Sequence, residues 1–309
     1  MQEKRTIRKD LVLSFGDRND GAIGIPGLTE DGKVIEISYF FGATRPKNIV
    51  VVSSQAGCPM RCSFCELGAE RFARNLSAEE MVDQAHLMLA EATKHGIDID
   101  RVPHKITIAN SGESLLNPQL VEGLTLLAHL NVASLKVSTV LPDTNIAGKV
   151  LTELADFAAQ EERPVQLQIS LISTSEEQRV KTSGGRVANF AKIRAAGELW
   201  RAKNPLGRKV NLSLILTDLM HGVAADVVKV FPPELFRFRF REYVPTSNGD
   251  GHGLRMISPT RLAEIKKEFQ QQGYEVSDWA SPSPIEWKFG LAANVIRKRY
   301  LEMITPVPV

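Results

Sequence analysis

The sequence predicts an α/β chain whose centre is an open (β/α)6 partial TIM barrel, and three observations predict it. Six short runs rich in β-branched and aromatic residues recur at 48–53, 105–110, 133–139, 165–171, 210–216 and 236–243. Segments with helical periodicity separate them, which calls for parallel strands joined by right-handed crossovers. Six units are too few to close an eight-stranded barrel, so the active face is expected at the carboxyl ends of an open set of strands.

The 309 residues suffice for one large domain or two small ones, and an apolar fraction of 43% with 24% charged residues is ordinary for a folded chain. A net charge of +2 neither requires nor excludes RNA. The charged start, residues 1–6, is followed by no uninterrupted apolar run. A cytoplasmic protein without a membrane span is expected.

Taken in order, residues 1–47 mix turn signals (Asn19-Asp20-Gly21, Asp31-Gly32) with short alternations such as Val34-Ile35-Glu36-Ile37, and are expected as a small β extension. Residues 48–245 are the partial barrel. Its first strand, 48–53, ends just before a cysteine loop. Ser77 is placed to cap the next helix with Glu80 as its capping-box partner, and apolar residues follow at Met81, Ala85, Met88 and Ala92. Later strands alternate with helices at 118–129, 145–160, 188–203 and near 224–230. Residues 246–309 are expected as a C-terminal α+β extension: a lid loop rich in Gly, Ser, Asn and Asp within 245–253, a helix over 259–272, an edge strand at 274–279 and a final helix within 285–300.

The chemistry concentrates in Gly57-Cys58-Pro59-Met60-Arg61-Cys62-Ser63-Phe64-Cys65, which holds all three cysteines of the chain. Three thiolates at Cys-x3-Cys-x2-Cys spacing can converge on one iron-sulfur cube. A tetrahedral zinc site would need a fourth ligand, and no second Cys pair or closely spaced His pair supplies one. Three ligands on four irons leave one iron open to a cofactor or substrate. A disulfide with a spare thiol and ordinary buried cysteines are the plainer readings; a reducing compartment argues against the first and the tight clustering against the second.

Four other features stand at strand ends. Asn110-Ser111-Gly112-Glu113-Ser114 follows the second barrel strand, where Gly112 permits close backbone approach and Glu113 offers a carboxylate to a cationic amine; a turn with a solvated Glu is the alternative. Ser138 and Ser170 can reach a ribose or carboxylate, or cap helices. In Phe236-Arg237-Phe238-Arg239-Phe240-Arg241, period 2 places three Phe on one face and three Arg on the other. If the Arg face points inward, Arg237, Arg239 and Arg241 require anions; if the Phe face does, the arginines are solvated. The scattered histidines receive no catalytic role.

Beyond the cysteines, Val51-Val52-Ser53-Ser54-Gln55-Ala56-Gly57, Phe72-Ala73-Arg74-Asn75-Leu76-Ser77, Gly112-Glu113-Ser114-Leu115-Leu116-Asn117, Ile169-Ser170-Leu171 and Gly290-Leu291-Ala292 go further. The chain resembles the radical S-adenosylmethionine (SAM) superfamily, and within it the enzymes that methylate adenine at carbon 2 or carbon 8 in ribosomal and transfer RNA. The resemblance implies a [4Fe-4S] cluster on Cys58, Cys62 and Cys65, SAM on the open iron, and SAM-contacting positions at Phe64, Gly112, Glu113, Ser138 and Ser170. It further implies a partial barrel of the radical SAM type and a one-electron donor such as flavodoxin or ferredoxin.

One departure matters. That family uses two cysteines outside the cluster, one carrying a methyl group and one resolving the adduct with RNA. Here Val51 stands at one position and Lys288 at or near the other, with no thiol left in the chain. The expected function is therefore a radical SAM enzyme in which a 5'-deoxyadenosyl radical takes hydrogen directly from a small polar or anionic substrate, a nucleotide or nucleoside among the choices, held by Arg237, Arg239, Arg241 and Lys288. Whether the outcome is oxidoreduction, isomerisation, lysis or transfer stays open. An RNA methyltransferase or other RNA-modifying radical SAM enzyme is the less favoured alternative, and a non-catalytic iron-sulfur protein the second.

Overall fold

The computed structural model describes residues 6–9, 15–42, 46–219, 222–278 and 294–304. The strands are β1 (Ile7–Lys9), β2 (Ala22–Thr29), β3 (Val34–Phe40), β4 (Ile49–Val52), β5 (Gln55–Ala56), β6 (Arg74–Asn75), β7 (His104–Ile108), β8 (Val132–Thr139), β9 (Val165–Ile172), β10 (Val210–Leu216), β11 (Phe236–Glu242) and β12 (Val276–Asp278). The helices are α1 (Ala78–Lys94), α2 (Leu120–Ala128), α3 (Asn145–Gln160), α4 (Glu176–Thr182), α5 (Phe190–Lys203), α6 (Ala224–Val227), α7 (Ser247–Gly251), α8 (Pro259–Gln271) and α9 (Val295–Ile304). All six expected barrel strands are present, and the fold is α/β with parallel strands. None of the helices among the described residues is long and apolar enough to cross a membrane.

The contacts divide the chain into two units, one of residues 1–59, 70–135 and 282–309, the other of 60–69 and 136–281. In the first, β1 to β4 form an antiparallel meander and β4 then pairs with β7 in parallel, Val52 opposite Ile108. β4, a continuous apolar run, is buried past Ile49 as such runs require, and β3 is buried throughout although it alternates Glu36 and Ser38 with apolar residues. The expected capping box forms: Glu80 N donates to Ser77 Oγ at 3.2 Å, and Ser77 N donates to Glu80 Oε2 at 2.9 Å. Arg74 ties this helix start to the meander, pairing with Glu80 and Asp31 at 2.7 Å each. The fully buried Glu36 side chain accepts from Ile296 N at 3.2 Å and Arg297 N at 3.4 Å, so a carboxylate meets the first turn of α9.

In the second unit, β9, β10, β11 and β12 run parallel in that order, with β8 beside β9. The alternation in β11 is realised. Phe236, Phe238 and Phe240 are at most 2% exposed and pack on Phe231, Phe269 and Tyr274. Each buried Phe contributes about 1.5–3 kcal/mol, and the opposite face is left to the arginines.

One expectation on local structure is corrected, and one helix was not anticipated. The segment expected as a lid loop folds as the short helix α7: Thr246 Oγ1 accepts from Gly249 N at 2.9 Å, and tertiary bonds outweigh the poor helix propensity of Ser, Asn, Asp and Gly. The helix α4 had no apolar stripe to announce it. It is anchored through the buried Arg179, whose guanidinium donates to the carbonyls of Ala188 and Val140. The edge strand is present at β12, whereas residues 285–293 of the final segment lie outside the described residues.

Candidate active site

The site is assembled within each unit from short connections at strand ends. In the first, Gly112 adopts φ +109°, and a Cβ there would lie 2.6 Å from Gln55 Cβ, so only glycine lets the loop after β7 lie against β5. Gln55 Oε1 accepts from Glu113 N at 2.7 Å. Glu113 is 4% exposed, and its Oε1 accepts from Leu115 N at 3.1 Å. It is thus a held carboxylate, not the solvated one of the plainer reading. Ser111 Oγ donates to Asn294 Oδ1 at 2.8 Å, which fastens the beginning of the last helical segment to this loop. Cys58 belongs to this unit.

Residues 60–69 of the cysteine loop belong to the second unit, where α4 and α7 hold them. Asn248 Nδ2 of α7 faces the carbonyls of Cys65, Cys62 and Ser63 at 2.9, 3.1 and 3.2 Å. Ser63 N donates to Thr182 O at 2.9 Å, and Cys62 Sγ lies 4.0 Å from Ser183 O. Gly68 is required for this approach, because a Cβ there would overlap Cys62 O and lie 2.6 Å from Asn248 Nδ2. Phe64 packs on Ile215, Tyr243 and Leu254. The loop's backbone is therefore shaped by bonds to α4 and α7.

None of the three cysteines is in a disulfide. Among the described residues no three His, Cys, Asp or Glu side chains gather closely enough to enclose a single metal ion. Arg241 lies within electrostatic reach of Cys65: burial pushes its guanidinium down to about 10, and the Cys65 thiol acts in the opposite direction. A cation there favours the thiolate that iron requires.

The Arg face of β11 continues a polar face across the parallel strands. Register places Gln168, Asn211 and Arg237 side by side, then Ser170, Ser213 and Arg239, then Ile215 beside Arg241. Asn211 Oδ1 accepts from Arg237 Nε, and Gln166 Oε1 accepts from Arg237 at 3.2 Å. Ser138 Oγ is 3.4 Å from Gln168 Nε2. Neither Ser138 nor Ser170 caps a helix; Thr144 and Ser175 do that work for α3 and α4. Lys136 joins the face from β8. Burial, and then the charges of Arg239, Arg241 and Arg237, hold its ammonium well below the usual lysine range.

The structure thus gathers Cys62, Cys65, Phe64, Ser138, Ser170, Arg237, Arg239 and Arg241 in the second unit, and Cys58, Gly112 and Glu113 in the first. Lys288 lies outside the described residues. Sequence reasoning missed Lys136, Asn211 and Asn248. The first two were signalled by polar residues at alternate positions in strands read as apolar; Asn248 sat in a stretch that read as a mobile loop.

No family model matches the chain. It is 31% identical over 286 residues to the dual-specificity RNA methyltransferase RlmN 2 of Myxococcus xanthus, covering 86% of this chain and 70% of that protein. It is 26% identical over 274 residues to a probable dual-specificity RNA methyltransferase RlmN of Deinococcus deserti, covering 84% and 73%. The crystal structure of a radical SAM methyltransferase from Sphaerobacter thermophilus superposes with a TM-score of 0.72 at 21% identity, over 89% of this chain and 77% of that one, a likeness of fold.

Proposed function

The chain belongs to the RlmN-type family of radical SAM RNA methyltransferases, and from that premise we propose that it is an RNA-modifying enzyme whose chemistry on RNA uses no cysteine of its own outside the cluster loop. As a radical SAM enzyme it takes a [4Fe-4S] cluster and SAM. This reverses the order of preference drawn from the sequence, where RNA stood second to a small substrate: the relatives are named for RNA. The observation that carries the second half is that all three cysteines of the chain lie on one loop.

Cys58, Cys62 and Cys65 would hold the cluster, which when bound supplies the electron for reductive opening of SAM. Asn248 fixes the loop carbonyls, Phe64 backs the loop with an apolar wall, and Arg241 favours the Cys65 thiolate. Glu113 would receive the ammonium group of SAM, a role supported by its burial and its bond from Leu115 N. Gly112, Ser138 and Ser170 complete the proposed cofactor contacts.

The test is anaerobic. The protein is reconstituted with iron and sulfide, reduced, and given SAM with or without total RNA; 5'-deoxyadenosine, S-adenosylhomocysteine and modified nucleosides are quantified by mass spectrometry. RNA-dependent SAM cleavage with a new nucleoside in digested RNA is expected, together with RNA binding that weakens steeply with salt. Glu113→Gln should raise the KM for SAM while leaving the iron content intact. SAM cleavage indifferent to RNA would overturn the RNA reading. The second reading, a small anionic substrate, is favoured by the cationic face of β11 and predicts cleavage stimulated by a small-molecule fraction instead.

A further inference from the structure

We propose that Lys136 is the proton acceptor of the polar face of β8 to β11, there to take an N–H or O–H hydrogen from a substrate bound on that face. The proposal goes beyond the RNA reading and holds for either substrate, since a nucleobase, a ribose and a small polar molecule all carry such hydrogens.

Position comes first. Ser138 Oγ meets Gln168 Nε2 at 3.4 Å, so the side of β8 that carries Ser138 is the side on which Gln168, Asn211 and Arg237 stand in register. Period 2 puts Lys136 on that same side, about 6.6 Å before Ser138 along the strand. Lys136, Ser138 and Ser170 are each part-exposed, whereas Asn211 and Ser213 of β10 are at most 1% exposed, so the face is open over β8 and β9 and closed over β10. Lys136 makes no hydrogen bond or ion pair among the described residues, yet its Nζ is not one of the sealed polar atoms. The amine is reachable and uncommitted.

The chemistry of its neighbours then singles it out. Ser138, Ser170, Ser213, Gln168 and Asn211 take up no proton at neutral pH, and guanidinium groups stay charged there, Arg241 even with burial pushing it down to about 10. β8, β9 and β10 contain no Asp, Glu or His, and Glu242 of β11 alternates to the Phe side. A proton acceptor contributed by these four strands to this face is therefore Lys136 or none. An ordinary lysine would be protonated and of no use as a base. Here the surroundings oppose the ammonium: it is partly withdrawn from water, and the charges that reach it, those of Arg239, Arg241 and Arg237, are all of its own sign. A reachable amine so disfavoured as a cation is what a general base requires.

In the step itself, the Nζ lone pair forms a new N–H bond while the substrate's N–H or O–H bond breaks and leaves its electron pair on that nitrogen or oxygen. The lysine becomes an ammonium and the substrate atom an anion, so the net charge of the pair is unchanged. The new ammonium then has beside it the counter-ion it lacks in the free chain. No oxidant or reductant enters.

Two measurements on the anaerobically reconstituted full chain test it. In the first, without substrate, a pulse of acetic anhydride across neutral to alkaline pH is followed by unfolding, complete labelling with deuterated anhydride and peptide mass spectrometry. Lys149, whose side chain is 78% exposed, is the internal reference. At neutral pH the fraction of its plateau rate that Lys136 has reached should exceed that of Lys149 by about ten-fold or more. Equal fractions overturn the proposal. In the second, SAM is supplied with total RNA or with a small-molecule fraction, whichever the parent turns over, and product formed per 5'-deoxyadenosine is followed against pH. That ratio should rise with pH along the Lys136 labelling curve, and Lys136→Met and Lys136→Arg should each lower it by about 100-fold or more, with iron content unchanged. Lys136→Arg keeps a cation at the position, so a loss shared by both variants belongs to the proton and not to the charge. A ratio within about two-fold of the parent in either variant overturns the proposal; in Lys136→Arg alone it would assign the lysine to charge. No RNA enters the labelling, so its outcome is separable from that of the RNA assay.

Discussion

Removing the Asn248 amide should loosen the cysteine loop by an amount the geometry bounds. Its Nδ2 faces three loop carbonyls at 2.9, 3.1 and 3.2 Å, but an amide carries two hydrogens, so it makes two full bonds or shares them among three acceptors. At a net 0.5–1.5 kcal/mol per bond, Asn248→Ala should cost about 1–3 kcal/mol. The side chain is half-buried, and water can replace part of what is lost, which places the expectation in the lower half of that range. Asn248→Asp should cost more, since it removes both donors and sets a negative charge against carbonyl oxygens beside two thiols. Urea unfolding of the reduced apoprotein measures the stability, and iron per chain after anaerobic reconstitution measures the loop. Both variants unfolding within about 0.5 kcal/mol of the parent, with full iron loading, would refute a structural lock at this position.

Gly68→Ala should lower iron loading more than it lowers global stability, because the new Cβ meets the Cys62 carbonyl, a backbone atom that cannot swing aside; cluster absorbance per chain measures it. Arg74→Ala should cost about 1 kcal/mol, no more, because the arginine is one-third exposed. The Asp31 carboxyl is held well below the usual carboxylate range chiefly by Arg74, so its contribution is full above the unfolded value and is lost as pH falls through the lowered one. The variant should lose that acid resistance, as seen in Tm against pH. Lys136→Met should stabilise the protein. In the parent, the unfolded lysine binds a proton that the folded one gives up, so parent stability rises with pH between the lowered folded value and the ordinary one. The advantage of Met should therefore shrink as pH rises toward the lysine range, and an advantage that grows with pH would refute the burial of Lys136.

The order of elements, the parallel strands and the cysteine loop were legible in the sequence because each rests on local pattern. β-branched runs such as Ile49–Val52, the Ser77 and Glu80 pair, and three cysteines within eight residues need no knowledge of distant neighbours. Even the two faces of β11 followed from period 2 alone. Which face turned which way did not, because that choice depends on Phe269 and Tyr274, brought to the Phe side by chain distant in sequence.

Tertiary structure decided the rest for the same reason. Asn248 became a clamp on a loop 183 residues earlier, although its own neighbours are poor helix formers and read as mobile. Lys136, Gln168 and Asn211 look incidental in their separate strands, and only register sets them beside Arg237 and Arg239. Composition and spacing report what one stretch of chain can do by itself. A cationic face with buried amides is a property of four strands at once, because charge and hydrogen bonding act through space and each strand alone carries only one part of it.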